Sequence, residues 1–457
     1  MRRFLLVGIE TSLLLIVGLL ATYVRVLDDT TYELFERRGW LKLTMVTFVI
    51  QLAFYLFDLY DLRATRSYRR VVTNFAIAIC ASTVLLSILF YAMPMMQLGR
   101  GIFLVEMSFI AVLIPGWRLL VSWSAGHPQL GVRERVLILG SGEQAVEIAR
   151  ATLERRNAGF HIVGFVDNRP ELVGRSLINP SVIGLTDDIS NLVERYQVDR
   201  IVVAVEDRRG KFPTEELLNL TLSGRIAVEE CAQYYERLTG KIASEMIRPS
   251  WLIFSRGSRY SAVANHIRRV LNVGFATVGF ITSLPIMLLT AIAVKLDSPG
   301  PVFYTQERVG KNGRTFKIIK FRSMRIGAEK KSGPVWAETD DPRITRIGRL
   351  LRKLRLDELP QFVNVIRGDM NFVGPRPERP VFVEQLSKAI PYYSQRHLIK
   401  PGLTGWAQIK YPYGASVEDA IEKLRYDLYY IKNQSFLLDA IIVFETVKTV
   451  VFGRGGR

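Results

Sequence analysis

The sequence predicts a membrane protein of mixed α and α/β class. It is expected to hold a four-helix transmembrane bundle, a Rossmann-like α/β domain, and a re-entrant membrane helix leading into a small, mainly α domain. Three observations predict this. Four apolar segments of bilayer-spanning length fill the first 125 residues. Short β-type runs then alternate with helical ones. A fifth apolar stretch, interrupted by a proline, precedes a strongly basic C-terminal third. The expected boundaries are 1–125 for the four helices, 133–245 for the Rossmann-like domain, 246–264 for a linker, and 265–457 for the last domain, its membrane helix covering 267–296.

The four spans read as about residues 4–25, 41–60, 71–93 and 101–122. The first opens with Met1-Arg2-Arg3, but no small-residue cleavage site follows and three further spans do, so a retained anchor is expected. Between spans two and three, "DLRATRSYRR" carries four arginines, whereas "AMPMMQLGRG" between spans three and four carries one. The positive-inside rule then puts both ends of the bundle in the cytoplasm. Glu10 and Glu106 fall inside spans, where an ionisable group either serves a function or pairs within the bundle.

From Arg135 onward "RVLILG", "EQAVEIARATLERR", "HIVGFVDN" and "VDRIVVAV" set a βαβ rhythm. "LILGSGEQA" places Gly140, Gly142 and Ala145 as a G-x-G-x-x-A variant at a strand-to-helix turn, where amide groups and the helix dipole can hold a phosphate. Asp167 ends the next strand, where a ribose-binding acid would stand. NAD or another nucleotide is compatible with this turn, and so is a purely structural or regulatory module. No Tyr-x-x-x-Lys pairing marks a short-chain reductase.

Charge points to partners without choosing among them. The chain carries 61 Lys and Arg against 43 Asp and Glu, and residues 301–457 alone hold 28 against 16. Anionic lipid, nucleic acid and phosphorylated substrates would all be attracted. Four spans and the lack of a recognition motif argue against nucleic acid. Cys80 lies in an apolar run and Cys231 in a soluble segment, so no disulfide framework is expected, and four scattered histidines show no metal-site spacing.

Residues 270–294 are long enough to span, but Pro285 lies near the middle behind Thr282 and Ser283. Proline removes a backbone donor and clashes with the preceding turn, so a break is expected. Arg268 and Arg269 before the segment, with Lys295, Arg308 and Lys311 after it, favour one side for both ends. A helix that enters and returns satisfies both constraints.

After this segment come "LDSPGPVFYTQERVGKNGRTFKIIKFRSM", "RLDELPQFVNVIRGDMNFVGPRPERP", "KPGLTGWAQI" and "YDLYYIKNQS". In this order they resemble the monotopic phosphoglycosyl transferases, which move a hexose 1-phosphate from a UDP-sugar to undecaprenyl phosphate. The resemblance covers about residues 265–457; with the spans and Rossmann-like middle, the chain resembles the long form that initiates exopolysaccharide or O-antigen repeat units. Ser283 and Pro285 would form that family's re-entrant bend, although Leu284 separates them here. The resemblance further implies Mg²⁺, a place in the bacterial inner membrane with the soluble domains in the cytoplasm, and is compatible with a homo-oligomer.

The residues themselves carry a chemical argument. "LPQFVNVIRG" has helical spacing, making Asp357 an N-cap candidate and Gly368 a natural stop. Capping does not call for Glu358, nor for so many arginines nearby. A carboxylate attacking a diphosphate is an anion approaching an anion, so cations must neutralise the phosphate. Arg376, between Pro375 and Pro377, is a phosphate-binding candidate, with Arg379 close behind and Arg352 just before the pair. Lys320 and Arg322 are candidates for substrate or lipid phosphate, or else part of a basic membrane-facing surface. Gln408 is a candidate for substrate contact. Trp406 belongs at the membrane interface or in the core. The resemblance assigns Asp357 as nucleophile on the sugar-bearing phosphate and Glu358 as metal ligand or proton shuttle, both carboxylates holding Mg²⁺; composition and spacing are equally compatible with direct transfer. Every chemical motif follows residue 260, so the segment 260–457 is expected to act alone. The rival reading is a membrane-anchored nucleotide-binding regulator without transferase activity. Glucose, galactose and acetamido sugars all remain open, a plain hexose being slightly favoured by the long architecture.

Overall fold

The computed structural model describes residues 2–36, 38–57, 59–60, 68–126, 134–155, 159–205, 212–224, 226–243, 262–328, 341–411, 414 and 416–451. Most of the expected linker and most of the arginine-rich loop after the second span lie outside the described residues. Contacts divide the chain into one unit of residues 1–135 and 155–161 and a second of 136–154 and 162–457.

The first unit contains helices α1 (Arg2–Val26), α2 (Thr30–Phe35), α3 (Gly39–Leu56), α4 (Tyr68–Ala92) and α5 (Arg100–Gly126). The four long ones share one apolar core, from Leu14 and Val17 on α1 to Ile110 and Ile114 on α5. All four are long and apolar enough to cross a membrane, and so is a fifth helix in the second unit. Glu10 is fully buried in a bidentate pair with Arg118 (2.7 and 2.8 Å), which ties α1 to α5. Its charge has a structural partner, as an acid in an apolar bundle requires. Glu106 is equally buried and packs against Gly18, where an added side-chain carbon would meet its carboxylate.

The second unit begins with strands β1 (Glu134–Leu139), β2 (Phe160–Asp167), β3 (Val182–Leu185), β4 (Arg200–Val203) and β5 (Ala227–Glu230), interleaved with α6 (Glu143–Glu154), α7 (Ile189–Tyr196), α8 (Thr214–Leu222) and α9 (Cys231–Thr239). Sheet order is β3-β2-β1-β4-β5, with the described ladders parallel. The parallel sheet agrees with the βαβ rhythm, and its order is a doubly wound one. Gly140 takes a left-handed backbone (φ 112°), and an added side-chain carbon there would strike the Ala204 carbonyl.

The remainder holds α10 (Ala262–Asp297), the antiparallel hairpin β6 (Phe303–Val309) and β7 (Thr315–Phe321), α11 (Arg346–Lys353), α12 (Phe362–Arg367), β8 (Asn371–Val373), α13 (Pro380–Ala389), β9 (Gly402–Thr404), α14 (Trp406–Lys410), α15 (Val417–Lys432) and α16 (Phe436–Val451). The expected break at Pro285 is not there: α10 is one helix of 36 residues. Packing holds it together on both sides of the proline, Ala276 lying with Phe362 and Val365, and Met287 and Val294 with Phe321 and Leu351. Thr282 donates its hydroxyl to the Val278 carbonyl and Ser283 to that of Phe280, whereas the carbonyl that Pro285 leaves without an amide is that of Ile281.

Both ends of α10 are fastened to the same domain. Near its start Arg269 donates to the Val365 and Ile366 carbonyls (2.7 and 2.6 Å), and Asn272 accepts from the Phe372 amide. At its end Asp297 accepts from the Ile347 amide at 3.1 Å. The opposite face exposes Ile267, Val270, Phe275, Val278, Ile281, Leu288 and Ile292, an apolar stripe at helical spacing.

The domain carrying the C-terminal motifs also reaches back before residue 260. Ile242 is buried among Leu386, Ile390, Tyr393, Leu424 and Leu428. Glu236 of α9 binds Lys432 (2.6 Å) and Asn433, Lys241 pairs with Glu422 (2.5 Å), and the Trp406 indole donates to the Gly240 carbonyl (2.8 Å). Trp406 is therefore a packing residue. A segment 260–457 would lose Ile242 from a cluster whose other buried members, Leu386, Ile390, Tyr393, Leu424 and Leu428, it keeps. Ile242→Ala is expected to cost about 2–4 kcal/mol, visible as a lowered Tm of the purified full chain; an unchanged Tm would show the contact to be dispensable.

Candidate active site

The two adjacent acids lie on a 3₁₀ turn (Leu356–Gln361) that runs directly into α12. Arg355 precedes the turn in the left-handed conformation (φ 55°), which costs a non-glycine residue about 1–2 kcal/mol. That reversal starts the helical path earlier than sequence spacing suggests. Asp357 is thus not the N-cap of α12, a place taken by Gln361; it lies inside the preceding turn and makes no capping bond. It still stands at the positive end of the helical segment.

Several elements converge on the pair. Asn364, fully buried on α12, accepts from the Ile319 amide (3.0 Å) and donates to the Lys317 carbonyl (2.8 Å), pinning α12 to β7. Lys320, the next residue on β7, reaches Glu358 at 3.2 Å. On another side Arg376 reaches the same Glu358 oxygen at 3.0 Å. The backbone of Arg376 is held by the turn glycines: the Gly402 amide donates to the Pro375 carbonyl and the Gly374 amide to that of Thr404, an approach so close that a side-chain carbon at Gly374 or Gly402 would overlap backbone. Gly374 and Gly402 therefore serve to place the proline-flanked arginine.

The two acids differ in their partners. Glu358 is clamped between Lys320 and Arg376, whereas among the described residues none donates a hydrogen bond to Asp357, itself only 7% exposed. Burial pushes the Asp357 carboxyl above the usual carboxylate range, and the Glu358 charge adds to this against the pull of Lys320. Burial also acts on Glu358, but Lys320, Arg376 and Arg355 together outweigh it and hold that carboxyl well below its usual range. Burial lowers Lys320, with Glu358 as its main support. One acid is committed to two cations that favour its charged form, while the other is uncommitted and more basic. That division suits a nucleophile beside an electrostatic anchor.

The other expected site residues fall in different places. Arg352, at the end of α11, donates to Ser323 (2.9 Å) and lends positive charge to Asp357. Arg379 lies over the Phe382 ring at 5.7 Å, beside the start of α13. Arg322 is not turned toward phosphate: its guanidinium donates to the Pro299 and Ser298 carbonyls (both 2.7 Å), closing the turn after α10. A charge count cannot distinguish an arginine consumed by backbone carbonyls from one facing substrate. Gln408 has both amide atoms buried with no partner among the described residues and makes no described contact with the acidic pair. At the Rossmann-like turn, Asp167 is engaged by Ser141 and by Arg169 (2.9 Å), so a ribose would have to displace the arginine. Sequence reasoning missed Asn364, Arg396 and Asp427, although a polar residue on an otherwise apolar helical face, as in "FVNVIR" and "YDLYY", is a usable signal.

Among the described residues no three His, Cys, Asp or Glu side chains form an all-protein metal site. Mg²⁺ does not require one, since it is commonly held by one or two carboxylates with phosphate and water oxygens completing six ligands. The hard oxygens of Asp357 and Glu358, one carboxylate without a hydrogen bond, fit that set. A groove of about 430 Å³ lined by Val309, Thr315, Pro380, Val383 and His397 includes neither acid.

Residues 263–453 match the bacterial sugar transferase family, and residues 55–211 match a CoA-binding domain. A UDP-N-acetylgalactosamine-undecaprenyl-phosphate N-acetylgalactosaminephosphotransferase of Aeromonas hydrophila is 41% identical over 260 residues, 57% of this chain and 60% of that one. A UDP-galactose-lipid carrier transferase of Erwinia amylovora is 30% identical over 387 residues, 79% of this chain and 77% of the other. The UDP-glucose:undecaprenyl-phosphate glucose-1-phosphate transferase of Escherichia coli is 42% identical over 191 residues, 41% of this chain and 40% of the relative.

Proposed function

The chain belongs to the bacterial sugar transferase family, and from this we propose that it transfers a hexose 1-phosphate from a UDP-sugar to undecaprenyl phosphate, releasing UMP. The observation that carries the reading is the pairing of an uncommitted buried carboxylate, Asp357, with a carboxylate fixed by Lys320 and Arg376. In the first step an Asp357 oxygen attacks the sugar-bearing phosphorus, a P–O bond forms, and the bond to UMP breaks with the electron pair leaving on UMP. In the second, a phosphate oxygen of undecaprenyl phosphate attacks the same phosphorus and Asp357 departs as carboxylate. Lys320 and Arg376 offset the charge of the diphosphate, and Glu358 keeps both cations in place. Burial of Asp357 shields the acyl phosphate from water between the steps. Asp357 and Glu358 would hold Mg²⁺, which would supply charge neutralisation of the phosphate oxygens. A regulator without transfer chemistry has no use for this arrangement.

The test is UMP release by the detergent-purified chain with undecaprenyl phosphate and a panel of UDP-sugars. Release with at least one sugar, stopped by chelator and restored by Mg²⁺, is expected. No release with any sugar would overturn the assignment, and full activity in excess chelator would remove the metal from it. The three relatives differ in the sugar their names carry, so the panel includes glucose, galactose and N-acetylgalactosamine.

The contacts of α10 support insertion without crossing. Its fastenings run from Arg269 to Asp297, about 42 Å at 1.5 Å per residue, which exceeds the roughly 30 Å hydrocarbon thickness. A helix crossing perpendicular to the bilayer would draw the domain's polar backbone into lipid. The exposed stripe instead dips into one leaflet, placing Asp357 beside the headgroup layer on the side where nucleotide sugars are made. Cysteines at positions 265 and 312 are therefore expected to react with an impermeant reagent from the cytoplasmic side alone. Periplasmic labelling at 312 would mean that the helix crosses.

A further inference from the structure

A second charged pair lies beneath the first. Arg396, on the 3₁₀ turn Tyr393–Leu398, and Asp427, on α15, are 6% and 2% exposed and lie 2.8 Å apart. Arg396 also donates to the carbonyl of Arg376 at 3.1 Å and to the Tyr393 hydroxyl oxygen at 2.5 Å, and lies over the Tyr393 ring. On one side Leu386, Ile390, Leu424 and Leu428 pack around Tyr393, and on the other the charges of Glu378 and Lys423 reach Asp427. Burial pushes the Asp427 carboxyl up to about 6 despite the Arg396 charge, with Glu378 adding to the rise.

A buried ion pair in such a place is often no better for stability than two apolar side chains. What it does here is geometric. Arg376 stands between two prolines, which fix the backbone angle of the residues on either side. Its carbonyl is gripped by Arg396, and Arg396 is held in turn by Asp427. The guanidinium at the other end of the same residue binds Glu358. We propose that Asp427 and Arg396 are a positioning couple that aims Arg376 at the substrate diphosphate, so that a carboxylate that never touches substrate sets the strength with which phosphate is held.

This rests on the transfer reading only in taking Arg376 as a phosphate ligand, and UDP binding tests that separately from turnover. The detergent-purified full chain, Asp427→Asn, Arg376→Ala and the double variant are compared by UDP titration and by UMP release. Each single change is expected to weaken UDP binding on the order of 10- to 100-fold, the range typical of residues that orient a ligating side chain. The double variant is expected to be no worse than Arg376→Ala alone, because the couple acts through that side chain. Losses that multiply would overturn the proposal and leave the pair a packing element. If Asp427→Asn does not fold, Arg396→Lys decides. It keeps a cation against Asp427 but gives up the guanidinium geometry, so it should retain Tm within a few degrees yet lose UDP affinity. Unchanged affinity in that variant overturns the proposal. A wild-type chain that binds UDP but releases no UMP removes the transfer reading and leaves the couple judged on binding; one that binds no UDP overturns both.

Discussion

Asp357→Asn is expected to lower UMP release at least about a thousandfold, as removal of a covalent nucleophile does, while the chain still folds and inserts. Asparagine matches the aspartate in shape, and no described hydrogen bond is lost, because none reaches the Asp357 carboxyl. A fall in activity would thus report chemistry rather than packing. Retention of more than a few per cent of turnover would remove Asp357 from the nucleophile role. The wild-type pH profile carries a related signature. Burial raises the Asp357 carboxyl and the carboxylate form is the one that attacks, so transfer should fail on acidification above the pH at which ordinary aspartates take up a proton. An acid limb at or below the ordinary aspartate value would contradict a raised carboxyl. Incubation with UDP-sugar and no lipid acceptor should leave a sugar phosphate on the wild-type chain, seen as a mass increase absent from Asp357→Asn.

Glu358→Gln is expected to reduce turnover about a hundredfold or more, the scale seen when a preorganised electrostatic group is removed from an active site. The reason differs from that for Asp357. Glutamine keeps the length of the side chain but removes the only carboxylate that both Lys320 and Arg376 contact in the described structure. The two cations then lose the carboxylate they share, and the Asp357 charge is left to support Lys320. Lys320, already lowered by burial and supported chiefly by Glu358, would lose its proton at lower pH in the variant. The alkaline limb of the rate profile should therefore move toward neutrality. A variant with near wild-type turnover and an unmoved alkaline limb would show that Glu358 neither anchors the cations nor takes part in the reaction.

The most legible parts of the sequence were those where short-range chemistry decides the outcome. An acidic pair among arginines, an arginine between prolines and glycines at turns keep their meaning whatever surrounds them, and the structure gathers Asp357, Glu358, Lys320 and Arg376 into one place. The less legible parts depended on distant neighbours. Pro285 argued for a break, but packing on both sides keeps the helix whole. Arg322 looked like a phosphate ligand, yet carbonyls 23 and 24 residues earlier consume its guanidinium. Asp357 looked like a helix cap, but a left-handed Arg355 moves the start of the turn. Asp427 was readable only as an acid on an apolar helical face, and its link to Arg376 runs through Arg396, on a separate turn.

The burial of Ile242 beneath α13 and α15 sets an order of events during synthesis. Strands and helices of the sheet domain leave the ribosome first and can close around their own core. Ile242 follows at the end of that domain, but Leu424 and Leu428, which cover it, emerge roughly 180 residues later, a delay of about 10–40 s at common elongation rates. Throughout that interval Ile242 lacks the leucines that bury it in the folded chain, so a ribosome stalled in between would leave that side chain exposed.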